Sequence, residues 1–158
     1  MLTITRKTDY ALIALAHLAQ KKKGALCSAR EISEQYHLPA ALMGNVLKAL
    51  VQAELVRSTR GIKGGYALAL PPQRVTLGSV IRAMEGPIRL VQCSDEHGTK
   101  NGCCELMSYC PVTKTVQKVH RQLMEFLNKV TLAQIAFDGD CPDCCVSLSR
   151  EGAALSLE

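Results

Sequence analysis

The segment between residues 55 and 70 constrains the fold more than any other part of the sequence. Two runs with the composition of β-strands, 55–58 and 66–70, flank a linker that contains Gly61, Gly64 and Gly65. Because glycine supplies the positive φ angles of a tight loop and lets the backbone approach another surface, the pattern predicts a β-hairpin. Arg60 and Lys63 then lie at its tip and point outwards. A basic tip favours a polyanionic partner, and a tip made basic only for solubility is the alternative.

Two helices are predicted directly before this hairpin. Residues 28–31 read Ser-Ala-Arg-Glu and fit a capping box, in which Ser28 and Glu31 satisfy each other's backbone amides. The helix that begins there extends to about Tyr36, and a tight turn then leads to Pro39 at the first position of a second helix. That helix extends to about Ala53. Helix, turn, helix and basic hairpin in this order form a winged helix-turn-helix, so we predict a mainly α fold with a small β-wing.

The second of these helices has two faces of different character. Its apolar positions recur at helical spacing and are predicted to face the core, as Met43, Val46, Leu47 and Leu50. The opposite face carries small, amide and basic side chains, which are Ala41, Asn45, Lys48 and Gln52. Asn or Gln can read adenine in the major groove of DNA, and Lys can contact guanine or phosphate. A solvated helix would present a similar face, so this pattern alone leaves both interpretations open.

Positive charge is concentrated in the same region. Residues 48–74 include five basic residues and one acidic residue, Glu54, whereas the whole chain of 158 residues has a formal net charge of +5. Such a cluster suits a nucleic acid better than a packed core.

Two further helices flank the predicted helix-turn-helix and wing. A first helix over residues 8–20 buries a stripe that is predicted to consist of Leu12, Leu15, Ala16 and Ala19. The lysines at 21–23, followed by Gly24, end it. Another helix is capped by Thr76 and ends at Gly86 and Pro87, with an apolar face formed by Leu77, Val80, Ile81 and Met84.

A long helix opened by Pro111 carries the pattern of a coiled-coil seam. Its apolar residues are separated alternately by four and three positions, as Val112, Val116, Val119, Leu123, Phe126 and Val130. A seam on a small domain needs a partner, and a second copy of the chain would bury it, so we predict a homodimer. Packing of the seam back onto its own domain is the competing interpretation.

Eight cysteines need an explanation other than disulfides. The chain shows no secretory signal and no apolar run of membrane-spanning length, so we expect a cytoplasmic protein without a membrane partner, in which thiols stay reduced. Cys27 stands apart and is predicted to be a small buried residue. The other seven form two groups, Cys93, Cys103, Cys104 and Cys110, then Cys141, Cys144 and Cys145. Soft thiolates select iron-sulfur clusters, zinc or copper(I), and spacing alone does not choose among them.

Three motifs together resemble one family of regulators. These are Thr-Arg-Lys-Thr-Asp-Tyr-Ala at residues 5–11, Lys-Gly-Gly-Tyr-Ala-Leu at 63–68, and the run from Cys104 to Pro111 before Val-Thr-Leu at 130–132. The sequence is similar to the Rrf-type winged-helix iron-sulfur transcriptional regulators, which include IscR, NsrR and RirA, from about Leu2 to Ala136. Within this family it most resembles regulators of iron-sulfur cluster assembly of the SUF type, with the nitric-oxide-sensing branch close behind.

The resemblance implies a set of cluster ligands. Cys93, Cys104 and Cys110 would be the thiolates of a [2Fe–2S] or [4Fe–4S] cluster, and Asp9 of the partner subunit would be the fourth ligand. Helix capping by Thr8 and Asp9 is an equal alternative for that carboxylate, and His97 in the loop is a further candidate. Cys103 beside Cys104 leaves the second thiolate ambiguous. Val116 stands where many relatives carry tryptophan, and the cysteine group at 141–145 is not a general family feature.

The resulting prediction is a DNA-binding transcriptional regulator, most simply a repressor, whose cluster senses iron-sulfur or iron status, redox state or nitric oxide. Ala40, Ala41, Asn45 and Lys48 would read bases. Phosphate or minor-groove contacts would come from Ser28, Arg30, Arg57, Arg60 and Lys63, with Gly64 and Tyr66 of the wing completing the DNA-binding set. Four units are predicted: a DNA-binding domain at 1–85, a cysteine-rich loop at 86–110, a dimerisation helix region at 111–136 and a tail at 137–158.

Two other functions stay open at this point. One keeps DNA binding but replaces the cluster by a structural zinc on Cys104, Cys110 and tail cysteines. The other is a thiol oxidoreductase that acts through Cys141 and Cys144. No paired carboxylates, nucleophile-base set or phosphate-binding glycine loop indicates any other enzyme.

Overall fold

The computed structural model describes residues 4–22, 24–61, 64–90 and 109–137. Three helices come first, α1 at Arg6–Gln20, α2 at Ala29–Gln35 and α3 at Ala40–Gln52. Two strands follow, β1 at Val56–Thr59 and β2 at Gly65–Leu68, which pair antiparallel with Arg57 opposite Ala67. After a short 3₁₀ turn at Pro72–Arg74 come α4 at Leu77–Glu85, α5 at Thr113–Lys129 and α6 at Leu132–Ala136. The winged helix-turn-helix and the mainly α fold are therefore confirmed.

The main core lies between α1, α3 and the base of the wing. The four predicted core residues of α3, Met43, Val46, Leu47 and Leu50, are all buried. Thr76 caps α4 in a reciprocal pair with Ser79, as its position predicts, and Gly86 ends that helix at φ +82°. The apolar pattern therefore locates the core side of both helices.

Three local predictions are wrong in detail. The buried stripe of α1 contains Leu15 as expected, but its other apolar members are Ala11, Ala14 and Leu18. Because α3, α4 and α6 all pack on α1, the buried face of α1 is wide. Its apolar residues lie one position earlier in the sequence than the predicted stripe. Half of the capping box at 28–31 is present, since Ser28 Oγ accepts from the Glu31 amide, but the Glu31 carboxylate binds Lys21 instead. Pro39 lies at the cap of α3, with extended backbone, and Ala40 is the first helical residue.

The wing pairs through its backbone with Cys27, in the segment before α2. Cys27 donates its N–H to the Tyr66 carbonyl at 3.0 Å and accepts from the Tyr66 N–H at 2.8 Å. Gly65 lets the backbone of Cys27 approach, because a Cβ at position 65 would lie 2.9 Å from the Cys27 carbonyl oxygen. The close approach orients the hairpin relative to α2 and α3.

Replacing Gly65 by alanine should therefore destabilise the protein by about 1–3 kcal/mol, because the wing must move away from Cys27. Urea unfolding followed by circular dichroism measures the change. Gly44→Ala is the matched control, since no atom lies within 4 Å of a Cβ built at position 44. Because alanine favours a helix more than glycine does, this change should raise the free energy of unfolding by about 0.5–1 kcal/mol. Equal effects of the two changes would contradict this account of the wing.

One side of the helix α5 packs on the rest of the protomer, and another side is exposed to solvent. Leu127 is buried against Ile81 and Ile88, so one side of α5 packs on α4. Three seam residues spaced seven apart remain largely exposed, Val112 at 55%, Val119 at 49% and Phe126 at 49%. Packing of α5 onto its own domain thus buries only part of the predicted coiled-coil seam. Among the described residues, no helix has the length and apolar character to span a membrane.

The chain after α5 returns to the main core. Thr76 and Thr131 form an antiparallel bridge, in which the Leu77 N–H donates to the Val130 carbonyl and the Leu132 N–H to the Val75 carbonyl. Leu132 is 1% exposed and joins the main core, while α6 packs on α1. The helix α6 is not anticipated by the apolar pattern.

Candidate nucleic-acid interface and cluster site

The exposed face of α3 carries the side chains predicted to read bases. Ala40, Ala41, Asn45 and Lys48 are all exposed, and the last three lie on the side opposite to the buried residues of that helix. Alanines near the start of the helix leave room for close approach, while an amide and an amine follow towards its C-terminal half. This face can enter a major groove and donate hydrogen bonds there.

Exposed cations are present on α3 and at the wing. Lys48, Arg57 and Arg60 are exposed, and none of their side chains forms an ion pair or hydrogen bond with the described part of the chain. Arg30 differs, because its Nε donates to Glu34 Oε1 at 2.6 Å, so a phosphate would have to compete with that carboxylate. Cations without an acidic neighbour keep their donors available for phosphate oxygens.

The remaining residues of the predicted DNA-binding set have other surroundings. Ser28 is exposed and caps α2, so its hydroxyl accepts a bond from within the protein. Gly64 and Tyr66 are half-buried at the wing, and Lys63 lies outside the described residues. The contact roles of the whole set stay predictions.

Cys110 is the one predicted cluster ligand from the cysteine-rich loop that the described residues include. It precedes α5, whose N-terminal end has no side-chain cap. The Thr113 hydroxyl and the backbone N–H groups of Val112 and Thr113 lower the pKa of the Cys110 thiol. Thr113 Oγ1 is buried and has no hydrogen-bond partner among the described residues. Its hydroxyl can therefore donate to a thiolate at Cys110. A thiolate at an uncapped helix N-terminus is a good ligand for a soft metal centre.

The other cysteines of the predicted cluster lie outside the described residues. These are Cys93, Cys103 and Cys104, and the same holds for His97 and for the tail group Cys141, Cys144 and Cys145. The choice between Cys103 and Cys104 as second thiolate therefore stays a prediction.

Asp9 lies in the first turn of α1 and is exposed. The alternative role for Thr8 and Asp9 in capping is wrong, because α1 begins at Arg6 and Thr5 caps it by accepting from the Lys7 amide. Asp9 itself forms no hydrogen bond or ion pair within the described residues, so its carboxylate is available to a ligand or a neighbouring subunit. Its role as a ligand stays a prediction.

Glu85 connects the start of α1 to the end of α4. Its Oε1 accepts from the Thr5 N–H at 3.0 Å, from Thr5 Oγ1 at 2.6 Å and from Thr8 Oγ1 at 2.6 Å. The side chain of Thr5 bonds most strongly to this carboxylate and, with that of Thr8, lowers the pKa of Glu85. The chain enters the predicted cysteine-rich loop directly after this residue. Sequence analysis missed Glu85, because only the fold brings residues 5 and 85 together.

We expect Glu85→Gln to lower the free energy of unfolding by about 1 kcal/mol at pH 7, because an amide accepts these bonds more weakly than a carboxylate. Since the folded-state pKa is depressed, this stabilisation is complete above the ordinary value of about 4.3 and is lost as pH falls through the folded pKa. The difference between wild type and variant should therefore shrink on acidification below pH 4. Urea unfolding over a pH series measures it. Glu125→Gln on the exposed surface of α5 is the control, and a pH-independent difference at Glu85 would contradict the assignment.

The chain can be placed in a family by comparison with known proteins. Residues 4–138 match the Rrf2 family, described as iron-dependent transcriptional regulators. The chain belongs to the Rrf2 family. Over 132 residues this Rrf2 protein is 30% identical to a candidate HTH-type transcriptional regulator of Haemophilus influenzae, covering 84% of this chain and 85% of the relative.

Solved structures give the same assignment. The Rrf2 protein is 28% identical to CymR, the global cysteine regulator of B. subtilis, with a TM-score of 0.66 over 89% of this chain and 100% of that chain. It is 30% identical to IscR of T. potens, with a TM-score of 0.63 over 87% and 88% of the two chains. The resemblance inferred from the motifs is confirmed, and the Rrf2 protein is a transcriptional regulator and not an enzyme.

Proposed function

We propose that this Rrf2 regulator binds double-stranded operator DNA as a homodimer, under the control of an iron-sulfur cluster of the [2Fe–2S] or [4Fe–4S] type. Cys93, Cys104 and Cys110 would hold the cluster, with Asp9 of the partner subunit as fourth ligand. The observation that carries the proposal is the surroundings of Cys110, where an uncapped helix start and a buried Thr113 hydroxyl favour a thiolate. The description of the family as iron-dependent supports the same assignment.

The donor set of the chain fits such a group. Thiolates are the ligands of iron-sulfur clusters, and exchange of one of them for a carboxylate leaves a weaker position. When bound, the cluster supplies a centre that is altered by iron supply, oxidants or nitric oxide. What the protein contributes is a thiol at Cys110 whose pKa is lowered, chiefly by the Thr113 hydroxyl, and an exposed carboxyl side chain at Asp9.

A physical connection runs from the loop to the DNA-binding elements. Glu85 stands at the start of the loop and binds Thr5 and Thr8, one residue before Asp9 on the same helix. The same helix packs on α3, whose outer face would read bases. A change in the loop can therefore bias the position of α1 against α3 and shift the population of DNA-binding conformers.

Homodimer formation is supported by the exposed seam of α5. Val112, Val119 and Phe126 lie on one side of the helix at intervals of seven residues, and each is about half exposed in a single protomer. A second α5 packed against this side would bury the three residues, as in a coiled coil. Two symmetry-related reading helices then match a palindromic operator.

Purification without oxygen tests the cofactor. The protein should be brown, contain iron and sulfide, and show visible absorption that changes on exposure to nitric oxide or oxygen. Electron paramagnetic resonance of the reduced and oxidised protein then separates the two cluster types. A colourless protein that contains zinc at Cys110 would instead support the structural-zinc alternative and overturn the cluster.

Arg60→Ala tests the DNA contacts. The variant should weaken binding to all duplexes alike and reduce the dependence of log K on log salt by about 0.9, because one phosphate contact is lost. Fluorescence anisotropy over a salt series measures both quantities. Lys129→Ala removes a cation from the end of α5 and is the control. A loss restricted to one base position at Arg60 would show base reading in place of phosphate binding.

A further inference from the structure

A cluster of metal-binding side chains includes none of the residues of the predicted cysteine-rich loop. It joins His17 of α1, Cys27 of the segment before α2, and Glu31 of the first turn of α2. One potential ligand atom from each residue lies within 4.8 Å of the others. His17 and Cys27 are 3% and 1% exposed, while the Glu31 side chain is 45% exposed and opens the cluster to solvent. The sequence places Cys27 apart from the other cysteines and assigns it no chemistry.

The distances in the cluster suit a tetrahedral ion. Cys27 Sγ lies 3.3 Å from His17 Nε2, and His17 Nε2 lies 3.9 Å from Glu31 Oε1. A zinc ion with a Zn–S bond of about 2.3 Å and a Zn–N bond of about 2.0 Å separates its sulfur and nitrogen ligands by about 3.5 Å. An ion can therefore enter between the three atoms with movements of a few tenths of an ångström at the buried pair.

The imidazole of His17 is oriented by a second hydrogen bond. Its Nδ1 lies 3.2 Å from the Tyr36 hydroxyl, so Nε2 is the nitrogen that faces Cys27 and Glu31. When Nδ1–H donates to the tyrosine oxygen, the Nε2 lone pair is directed at the cluster. Metal-binding histidines are held in this way by an outer partner. Burial is the main reason that the pKa of His17 is lowered, and a lowered pKa favours the neutral ring that binds metal ions.

We propose that His17 Nε2, Cys27 Sγ and Glu31 Oε1 form a site for a thiophilic divalent cation, Zn²⁺ in the first place, with water as the fourth ligand. Sulfur, imidazole and carboxylate ligands together suit zinc better than magnesium or calcium. On binding, the Cys27 thiol releases its proton to solvent and the thiolate bonds to the ion. Lys21 Nζ, which lies 2.7 Å from Glu31 Oε1, moves to the other carboxylate oxygen or to solvent.

The site would connect three parts of the DNA-binding domain. Its ligands come from α1 and α2, and Cys27 also pairs through its backbone with Tyr66 of the wing. A bound ion therefore holds the wing and the helix-turn-helix in one relative position. Zinc affinity should rise with pH, because the ion must displace the proton of the Cys27 thiol.

The test needs a chain in which the other seven cysteines do not bind metal. A full-length variant with serine at those seven positions and Cys27 retained is titrated with Zn²⁺ against a chromophoric chelator and with Co²⁺ in the spectrometer. We expect a single equivalent of zinc and a sulfur-to-cobalt charge-transfer band. Adding Cys27→Ser should abolish both, and Tyr36→Phe should weaken zinc binding about tenfold.

Glu31→Gln and Glu34→Gln are matched changes on α2 that leave the buried residues intact. Glu31→Gln should weaken zinc binding tenfold or more. Glu34→Gln should have no effect on zinc binding, because Glu34 pairs with Arg30 outside the cluster. In the unmodified sequence, Glu31→Gln should also lower the bound zinc by one equivalent, so the result does not depend on the serine background. Absence of zinc binding in the seven-serine protein, or equal binding in the two glutamine variants, would overturn the proposal. The iron content of the unmodified protein is unaffected in either case, which separates this site from the proposed cluster.

Discussion

Replacing Cys110 by serine should remove the iron and sulfide of the anaerobic protein almost completely. Of the two cysteines in the described ranges, Cys110 is the one whose pKa is lowered, by the Thr113 hydroxyl and the amides at the start of α5. A serine hydroxyl in the same place stays protonated and is a poor ligand for iron. Because the cluster would couple to DNA binding, operator affinity should change by a factor of roughly 5 to 150 between wild type and variant.

Iron and sulfide analysis, visible absorption and operator titration measure these effects on the same preparation. Cys103→Ser and Cys104→Ser are a matched pair of adjacent changes. One of these two cysteines would be the second cluster ligand, and only its replacement should remove the cluster. Cys27→Ser should keep its iron, since that residue is buried and is not among the proposed cluster ligands. A Cys110→Ser protein with normal iron content would contradict the proposed ligand set.

The second large effect is expected at the exposed seam of α5. Phe126→Glu should convert a dimer to a monomer, because burying an unpaired carboxylate in an apolar interface costs several kcal/mol. Affinity for a palindromic operator should then fall by about 100-fold or more, since one protomer contacts one half-site. The protomer should remain folded, because this side chain is 49% exposed there.

Sedimentation equilibrium and operator titration with full and half sites measure this result. Arg121→Glu is the control, because it lies about 200° around the helix from Val119 and introduces the same group away from the seam. A dimeric Phe126→Glu protein would place the interface elsewhere on the molecule.

Much of the fold can be predicted because the decisive signals are local. Burial of Met43 and Leu47 follows from helical spacing, and Gly86 at φ +82° ends α4 as a glycine in that position should. The stripe of α1 is harder, since Ala11 and Ala14 are buried where neighbouring helices come close on several sides. Small residues give a weak apolar signal even where packing is tightest.

Other features depend on contacts between distant parts of the chain. Glu31 fits a capping box by its spacing, but Lys21 lies close enough in the fold to take its carboxylate. The bonds from Thr5 and Thr8 to Glu85 likewise have no local signature. The helix α6 does have one, since Thr131 and Gln134 form a reciprocal cap that their spacing could have indicated.

In the proposed dimer, the bridge between Thr76 and Thr131 would relate the orientation of α5 to the spacing of an operator. It anchors the C-terminal end of a helix of 17 residues to the body that carries α3. A helix of that length spans about 25 Å, so a tilt of about 5° around the anchored end displaces the opposite end, next to Cys110, by roughly 2 Å. In a dimer built along α5, the same rotation would alter the separation of the two reading helices, which duplex geometry requires to match one helical repeat of about 34 Å. Small angular changes near the cysteines would thus decide which half-site separations fit the dimer.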